Sequence, residues 1–419
     1  MMNTQKELDD LIGYVIDPTK PEHCFSLLCT SYGMPILSYT TDDRGLPTNN
    51  PSFDKHALKK YASFAATQLP RSVSAKAVKA VELISRYRKK NTFNNMFLRP
   101  WQGHLRGGRL HPNYNQIVST GRMSCSDPNA QQLNKDAKSL IVPPQGWSVW
   151  SMDMSQIEFR FIVHYINATE VIEQYRQNPD TDFHQWVADM CGMDRDAEAK
   201  GVNFGVAFGE GIKKLTQQLG NSKKIIAWAE DLAKGDDAIF KLLVTKRANE
   251  VMEKYLATFP TLKPTMKIAA NALKSKGYIR NWYGRHRKMP VYVEINGERR
   301  DMTFRAFNQL NQSSAADLIK ERTVTFCEAI EGTEIKPLGV VHDELYGIAP
   351  TWIAEHPNMI ADCLTIMESP SKPISVPIRC SYGSSSVSWR EASANAKCRQ
   401  YERTDGIPFE WARGSVSQR

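Results

Sequence analysis

The sequence lacks the segments that direct a chain into or across a membrane. It contains no run of about 18 apolar residues, which is the length that a bilayer-spanning helix needs. Its N-terminus, MMNTQKELDDLIGYVIDP, carries acidic residues early and has no apolar core typical of a secretory signal. We therefore expect a cytoplasmic protein with no membrane partner.

Paired cysteines are also absent. None of the eight cysteines lies in a CxxC motif or in a zinc-binding spacing, which excludes the usual sequence patterns of zinc sites. Cysteines scattered in this way are typical of a reduced cytosolic protein. The pattern favours structural thiols over metal ligands or disulfides.

The charge is biased towards basic residues. The 419 residues carry a net charge of +9, and 41% of them are hydrophobic. The length and composition are typical of a soluble globular protein with roughly two or three domains of ~150 residues. The basic excess indicates a polyanionic partner such as nucleic acid, although a basic protein with solvated lysines would look the same.

Hydrophobic periodicity predicts the main elements. Apolar residues recur at helical spacing in residues 72–97, a segment whose second half is basic, and residues 182–290 are mostly helical. The stretch WSVWSMDMSQIEFRFIVHYI, 147–166, begins as a strand and becomes a helix near Ser155, with Ser155 or Asp153 near its cap. Residues 301–330 form one long helical pattern.

The stretch LGVVHDELYGIAP, 338–350, predicts a hairpin with an acidic tip. Two apolar runs flank His342, Asp343 and Glu344. A lone buried carboxylate costs several kcal/mol unless it has a partner, so a cation is expected at this tip.

A second acid, Asp153 at the end of the strand WSVWSMD, is the best candidate for sharing that cation. Two aspartates on neighbouring strands that hold two metals about 3.5–4 Å apart suit phosphoryl transfer. Taken singly, each acid has a simpler explanation, with Asp153 as a helix cap and Asp343 as a turn former.

A third stretch, RDAEAKGVNFGVAFGEG at 195–211, combines a lysine, phenylalanines and glycines at intervals of four. Lys200, Phe204 and Phe208 share one helix face. Each helical glycine costs about 1 kcal/mol relative to alanine, so the repeat predicts close approach of a flat ligand. A helix packed tightly through its glycines is the alternative.

Together these stretches resemble the signatures of family A DNA polymerases, the group related to bacterial DNA polymerase I and T7-like phage polymerases. The matching segments, which follow the family's order between about residues 75 and 390, are STGRMSCSDPNAQQL (119–133), DMSQIEFR (153–160), Lys200 through Gly209, NQLNQSSAADLIK (308–320) and HDE (342–344).

The resemblance implies an α+β right-hand fold and a DNA polymerase that attaches deoxynucleotides to a primer 3′-OH. Asp153 and Asp343 would hold two Mg²⁺ ions, with Mn²⁺ as an alternative ion. The Met154 carbonyl would be a further ligand, Glu344 an auxiliary acid, and Lys200 a fourth catalytic residue. One metal would lower the pKa of the hydroxyl, and the other would stabilise the leaving pyrophosphate.

The resemblance also implies binding roles for other residues. Glu158 would exclude a ribose 2′-OH, and Phe204 would stack on the sugar. The implied dNTP-binding residues are His184, Arg195, Lys200, Phe204, Phe208, Glu158 and Gln156. The residues implied to contact primer-template DNA are Arg122, Asn129, Gln131, Gln132, Asn308, Gln312 and His342.

Two positions near Lys200 depart from the family pattern. Arg195 precedes Lys200 by five residues rather than four, a step of about 140° around a helix, so it reaches the triphosphate only if the helix starts irregularly. Phe208 replaces a tyrosine, and the lost hydroxyl removes a hydrogen bond to Glu158 that would be worth roughly 1 kcal/mol.

The implied domains are an N-terminal segment with a reduced helical thumb, a small antiparallel palm sheet in two parts, and helical fingers. Their expected bounds are 1–108 for the first, 109–174 and 291–394 for the palm, 175–290 for the fingers, and 395–419 for a C-terminal tail.

The residues before the palm leave no room for a proofreading domain of ~150 residues. We therefore expect a polymerase without its own 3′–5′ exonuclease, in the cytoplasm of a bacterium or phage-infected host. A separate exonuclease or another replisome protein is a candidate partner, and the tail either docks it or is solvated.

Other functions remain open at this stage. A single-subunit RNA polymerase uses a similar Asp, Lys, Asp set, although Glu158 would obstruct a ribose. A non-catalytic nucleic-acid clamp of the same fold is a further alternative. A metal-dependent nuclease would explain the paired acids but not the glycine-rich helix.

Overall fold

The computed structural model describes residues 1–41, 47–209, 211–220, 222–295, 297–402 and 406–413. The chain divides into two compact units, residues 1–111 and residues 112–419. Each unit is described by itself below.

The first unit is largely helical. Its helices are α1 (Met2–Ile12), α2 (Pro21–Phe25), α3 (Lys55–Gln68), α4 (Arg71–Phe93) and α5 (Arg99–His104), with short strands β1 (Tyr39–Thr41), β2 (Pro47–Pro51), β3 (Leu105–Arg106) and β4 (Arg109–Leu110). Helix α4 confirms the helical periodicity predicted over 72–97. Leu8, Leu58, Tyr61 and Ile84, from α1, α3 and α4, are buried in one core.

The second unit combines one five-stranded sheet with many helices. Its strands are β5 (Asn113–Asn115), β6 (Ser124–Ser126), β7 (Trp147–Met154), β8 (Tyr278–Arg280), β9 (His286–Lys288), β10 (Tyr292–Ile295), β11 (Glu298–Asp301), β12 (Lys336–Val341), β13 (Glu344–Pro350), β14 (Cys380–Ser385) and β15 (Lys397–Cys398). Its helices are α6 (Lys135–Lys138), α7 (Ile157–Ile166), α8 (Thr169–Gln177), α9 (Phe183–Cys191), α10 (Lys200–Ala207), α11 (Ile212–Leu219), α12 (Lys223–Ala233), α13 (Asp237–Thr258), α14 (Leu262–Lys276), α15 (Ala306–Ala329), α16 (Thr351–Ala354), α17 (Pro357–Met367), α18 (Trp389–Asn395) and α19 (Glu410–Arg413).

The sheet has the strand order β12-β13-β7-β14-β15, and each neighbouring pair is antiparallel. Because side chains alternate along a strand, β7 presents two different faces. Trp150 and Met152 lie in a core with α15 and α17, whereas Ser151 and Asp153 line a cleft on the opposite face. This arrangement confirms the predicted α+β class with a small antiparallel sheet.

The helices that follow α7 form a separate core. Residues of α7 to α14, among them Phe159, Phe183, Val251 and Phe259, are buried together. The helical character predicted for 182–290 is confirmed as far as α14, after which β8 and β9 form a hairpin. In the part of the chain that the structure describes, no helix combines the length and the apolar character required to cross a membrane.

Two predicted helix starts were wrong. Helix α7 begins at Ile157 after Gln156, which has φ 51° and gives no side-chain cap. Ser155 does not cap the helix because its amide donates to Arg379 O at 2.8 Å, which prolongs strand pairing. Helix α15 begins at Ala306 rather than near Asp301, because Asp301 pairs with Tyr292 across the β10–β11 hairpin.

Part of the predicted C-terminal tail packs against the sheet unit. Phe409 is fully buried. Its amide and the indole of Trp411 both donate to Asp362 Oδ2 on α17, each at 2.8 Å. Strand β15 also belongs to this stretch and pairs with β14.

Candidate active site

The cleft-facing side of the sheet carries a cavity of about 610 Å³ at the ends of β7, β13 and β14. Its lining residues include Lys138, Ser151, Asp153, His342, Asp343, Glu344, Ser381 and Ser393. Two acids that the sequence predicts to meet, Asp153 and Asp343, therefore line one cavity.

Strand pairing sets the position of these acids. Asp153 is the register partner of Glu344, and the amide of Met154 donates to Asp343 O at 3.2 Å. Val341 pairs with Glu344, so His342 and Asp343 form a two-residue turn. The predicted tip of three polar residues is thus two residues long, and Glu344 belongs to β13.

The cleft raises the pKa of both aspartates. Burial and the negative charges of Asp343 and Glu344 together raise the pKa of Asp153 to about 8, although Lys138 and Lys200 act in the opposite direction. Burial also raises the pKa of Asp343. Among the described residues no side chain donates a hydrogen bond to either carboxylate, and the Asp343 carboxylate accepts one from its own backbone amide.

This donor set fits Mg²⁺. Two half-buried carboxylates that repel each other are stabilised by a shared cation. Among the residues that the structure describes, no three His, Cys, Asp or Glu side chains converge into a group able to hold a metal by themselves. Mg²⁺ usually takes only one or two carboxylates and completes its shell with water and substrate phosphates, so two aspartates suffice.

Glu344 differs from the two aspartates because its carboxylate accepts four hydrogen bonds from other side chains. Oε2 accepts from Lys138 Nζ at 2.5 Å. Oε1 accepts from Ser151 Oγ at 2.6 Å, and from Trp389 Nε1 and Ser393 Oγ at 2.7 Å each. Burial alone would raise the pKa of Glu344, but Lys138 and these donors outweigh it and lower the pKa.

Lys138 is one cation that neutralises the acidic hairpin. The sequence predicts a cation at this tip, and we expected it to be a metal. The structure places a lysine against Glu344 and leaves Asp153 and Asp343 for another cation. Sequence analysis missed Lys138, Ser151, Trp389 and Ser393, and the buried charge of Glu344 was the signal that called for a further basic residue.

Lys200 begins α10, and it is exposed and close enough to influence Asp153. A π-helical turn, Arg195–Ala199, precedes it. A π turn closes after about five residues, so this irregular start places Arg195 nearer to the face of Lys200 than a regular helix would. The five-residue spacing requires an irregular helix start for Arg195 to reach the triphosphate, and the π-helical turn is such a start.

The glycines near Lys200 lie in different backbone environments. A methyl group at Gly201 would lie 3.6 Å from Gln218 Oε1, an ordinary contact, so tight packing does not account for this glycine. Gly209 lies beyond α10 with φ 85°, a conformation that L side chains rarely adopt, so it serves chain reversal instead. The side chain of Phe204 lies outside the described part of the structure.

Asp182 holds two of the predicted nucleotide-binding residues. Its Oδ2 accepts from Arg195 Nε at 2.6 Å, and its Oδ1 accepts from Gln156 Nε2 at 3.2 Å. Asp182 also caps α9 through the amides of His184 and Gln185. The carboxylate of Asp182 therefore connects the segments that directly precede α7, α9 and α10.

His184 and Phe208 are both partly or fully enclosed. His184 is buried, and its Nδ1 lies 2.9 Å from Asn203 Nδ2 on α10. Phe208 packs against the helical core of the second unit. The dNTP-binding roles implied for both residues stay predictions.

Glu158 and Arg122 form an ion pair. The sequence assigns them to different ligands, the sugar of the nucleotide and the DNA. The structure instead brings the two side chains together near Asp343 and His342, whose pKa values both respond to Arg122.

The other predicted DNA-binding residues differ in their exposure. Gln131 is buried and donates through Nε2 to Val340 O at 3.1 Å, so it is hydrogen-bonded to β12. Asn129 and Gln132 are exposed, whereas Asn308 and Gln312 are half-buried on α15. His342 occupies the hairpin tip with φ 59°.

Comparison with known proteins matches most of the chain. A family model described as DNA polymerase family A matches residues 42–391. DNA polymerase DpoZ of Salmonella phage PMBT28 is 29% identical over 431 residues, which cover 93% of this chain and 63% of that protein. The thermostable DNA polymerase I of Thermus aquaticus is 28% identical over 339 residues, 75% of this chain and 37% of that protein.

A solved structure has a similar fold. The POL domain of Pol1 from M. smegmatis, in complex with DNA primer-template and dNTP, superposes with a TM-score of 0.67 and 24% identity. The match covers 94% of this chain and 64% of that chain. This chain thus spans less than two thirds of the length of the relatives described here.

Proposed function

The chain belongs to DNA polymerase family A, and from this premise we propose that it extends a primer 3′-OH with deoxynucleotides copied from a DNA template. One observation carries the proposal. Asp153 and Asp343 line one cavity through the pairing of β7 with the β12–β13 hairpin, and Lys200 opens a helix close enough to influence Asp153. This is the charge arrangement that nucleotidyl transfer needs.

We propose that Asp153 and Asp343 hold two Mg²⁺ ions, with the Met154 carbonyl as a further ligand. The ions, when bound, supply Lewis acidity at the hydroxyl and at the phosphate oxygens. The two aspartates contribute the negative charge that the ions need, and metal binding favours their ionised form.

Lys200 would neutralise part of the charge of the incoming triphosphate, since its ammonium is exposed beside the cleft. Arg195 would join it after leaving Asp182. Glu158, oriented by its ion pair with Arg122, would block the position of a ribose 2′-OH.

Primer-template DNA and dNTPs are the proposed partners. The POL domain of the M. smegmatis protein was solved with both, and the fold of this chain supports the same role. The excess of basic residues is consistent with a polyanionic ligand. Within this scheme the sheet is the palm, the helices from α8 to α14 are the fingers, and α4 belongs to a thumb.

We further propose that these 419 residues carry no 3′–5′ exonuclease activity of their own. The proposed function is tested by primer extension on a defined template with Mg²⁺, comparing dNTPs with rNTPs and a matched with a mismatched primer end. Template-directed extension with dNTPs supports the proposal. Binding of the primer-template without extension overturns it, and preferential rNTP use would indicate an RNA polymerase. Shortening of the mismatched primer would overturn the exonuclease proposal alone.

A further inference from the structure

The carboxylate of Glu344 receives four hydrogen bonds from three different elements. Lys138 ends α6, Ser151 belongs to β7, and Trp389 and Ser393 belong to α18. Three of these bonds go to Oε1 and one, from Lys138, goes to Oε2. Glu344 is therefore held in place from several elements at once and acts as an anchor.

Lys138 makes three contacts within this group of residues. Its Nζ lies 2.5 Å from Glu344 Oε2, 3.4 Å from Ser393 Oγ and 4.4 Å from the centre of the Trp389 ring. Trp389 in turn stacks on Tyr346, with ring centres 3.7 Å apart and an interplanar angle of 13°. The lysine thus contacts the first residue of β13 directly and the third through Trp389.

The anchor lies immediately beside a strained turn. His342 has φ 59°, a conformation that costs on the order of 1–3 kcal/mol and persists only when its surroundings impose it. Asp343 follows in the same two-residue turn, and Glu344 is the next residue. The contacts of Glu344 therefore restrain the residue that directly follows Asp343.

We propose that Lys138 is a positioning residue for nucleotidyl transfer, which fixes the tip of the β12–β13 hairpin through Glu344 and so sets Asp343 against Asp153. The inference rests on the proposed function, because it assigns a role within that same site. Lys138 itself touches neither the nucleotide nor the metals in this scheme.

A purely electrostatic role for Lys138 predicts the opposite result. Removing a positive charge beside two acids would make the site more negative and strengthen Mg²⁺ binding. Loss of a positioning contact would instead misplace Asp343 and weaken Mg²⁺ binding. The sign of the change in the half-saturating Mg²⁺ concentration separates the two roles.

The test compares Lys138→Met with Lys138→Arg in single-turnover primer extension over a Mg²⁺ titration. We expect Lys138→Met to raise the half-saturating Mg²⁺ concentration and to lower the maximal rate about 100-fold, as a misplacement of about 1 Å does. Lys138→Arg should restore most of the rate, and primer-template affinity should be unchanged. A wild-type rate, or a lower Mg²⁺ requirement, would overturn the proposal.

Lys372→Met is the matched control. Its Nζ also lies over a tryptophan, 4.2 Å from the centre of the Trp282 ring, but outside the cleft. This variant should extend primers like the wild type. If Lys138→Met fails to fold, Lys138→Ala takes its place with the same expected results.

Amide hydrogen exchange tests, independently of activity, whether Lys138 anchors the β12–β13 hairpin. In Lys138→Met the amides of 341–346 should exchange faster than in the wild type, while those of α4 remain unchanged. Unchanged exchange at the hairpin overturns the anchor. If the wild-type protein extends no primer, the proposed function fails, and the exchange measurement still decides whether Lys138 fixes the hairpin.

Discussion

The amide of Met154 donates a hydrogen bond to the carbonyl oxygen of Asp343 at 3.2 Å. This bond ties the residue after Asp153 to the second acid of the cleft. Because a slip of one residue turns every side chain of a strand to the opposite face, the register of β7 and β13 decides whether the acids meet. The geometry of the cleft is thus a property of strand pairing.

Arg160 fixes the junction between β7 and α7. It is fully buried, lies over the ring of Tyr175, and donates to the carbonyls of Ser155, Pro377 and Pro179. Arg160→Met should lower the free energy of unfolding by about 3 kcal/mol or more, because three carbonyls lose a charged donor. Urea unfolding measures the change. Arg176→Met, an exposed arginine on α8, should stay within about 0.5 kcal/mol, and an equal effect of both variants would contradict the assignment.

Local periodicity was sufficient to predict the elements that carry the two aspartates. Strand β7 and the hairpin of β12 and β13 each follow from a short run of apolar residues. His342 and Asp343 at the tip also follow, because polar residues interrupt an apolar run there, whereas Glu344 belongs to β13. The structure then pairs β7 with β13, as a shared cation requires.

Partners that are distant in the chain could not be predicted. Lys138 and Glu344 are separated by 206 positions, and no pattern near either residue indicates the other. The same applies to Asp362 and the buried end of the chain at Phe409 and Trp411. Such contacts depend on tertiary packing, which local propensity and periodicity do not specify.

Asp182 should contribute stability that depends on pH. Burial acts to raise its pKa, but the hydrogen bond from Arg195 and the amides of α9 outweigh it, so the pKa lies below the usual value of 3.8. A lowered pKa stabilises the fold above the unfolded-state value, and this stability is lost as pH falls through the lower folded-state value.

Asp182→Asn should therefore destabilise the protein more at pH 7 than at about pH 3, as measured by urea unfolding at both pH values. Asp236→Asn is the control, since Asp236 also caps a helix through two amides, those of Ala238 and Ile239. If the free energy of unfolding differs between wild type and Asp182→Asn by the same amount at both pH values, the ionised pair with Arg195 is ruled out.

Glu158 should govern the choice of sugar. Glu158→Ala should raise the ratio of rNTP to dNTP incorporation by about tenfold or more, because the side chain that would clash with a 2′-OH is gone. Glu158→Gln separates size from charge, since it fills the same space without the ion pair to Arg122. Competitive incorporation on one template gives the ratio, and an unchanged ratio in Glu158→Ala would refute the block.

Lys200 should act on the nucleotide and leave the DNA alone. Lys200→Ala should raise the KM for dNTP and lower kcat, together by about 100-fold in kcat/KM, through the loss of a charge at the triphosphate. Lys214→Ala, an exposed lysine on α11, should have little effect on either constant. Steady-state kinetics and primer-template affinity measure both, and a loss confined to DNA affinity would reassign Lys200.

The pairing of Asp153 with Asp343 is tested most directly by Asp343→Asn in single-turnover primer extension. We expect extension to fall by at least about 100-fold while primer-template affinity is retained. The metal-free variant should also unfold at a higher temperature than the wild type, because one of two repelling carboxylates is gone. Extension at the wild-type rate by this correctly folded variant would contradict the account.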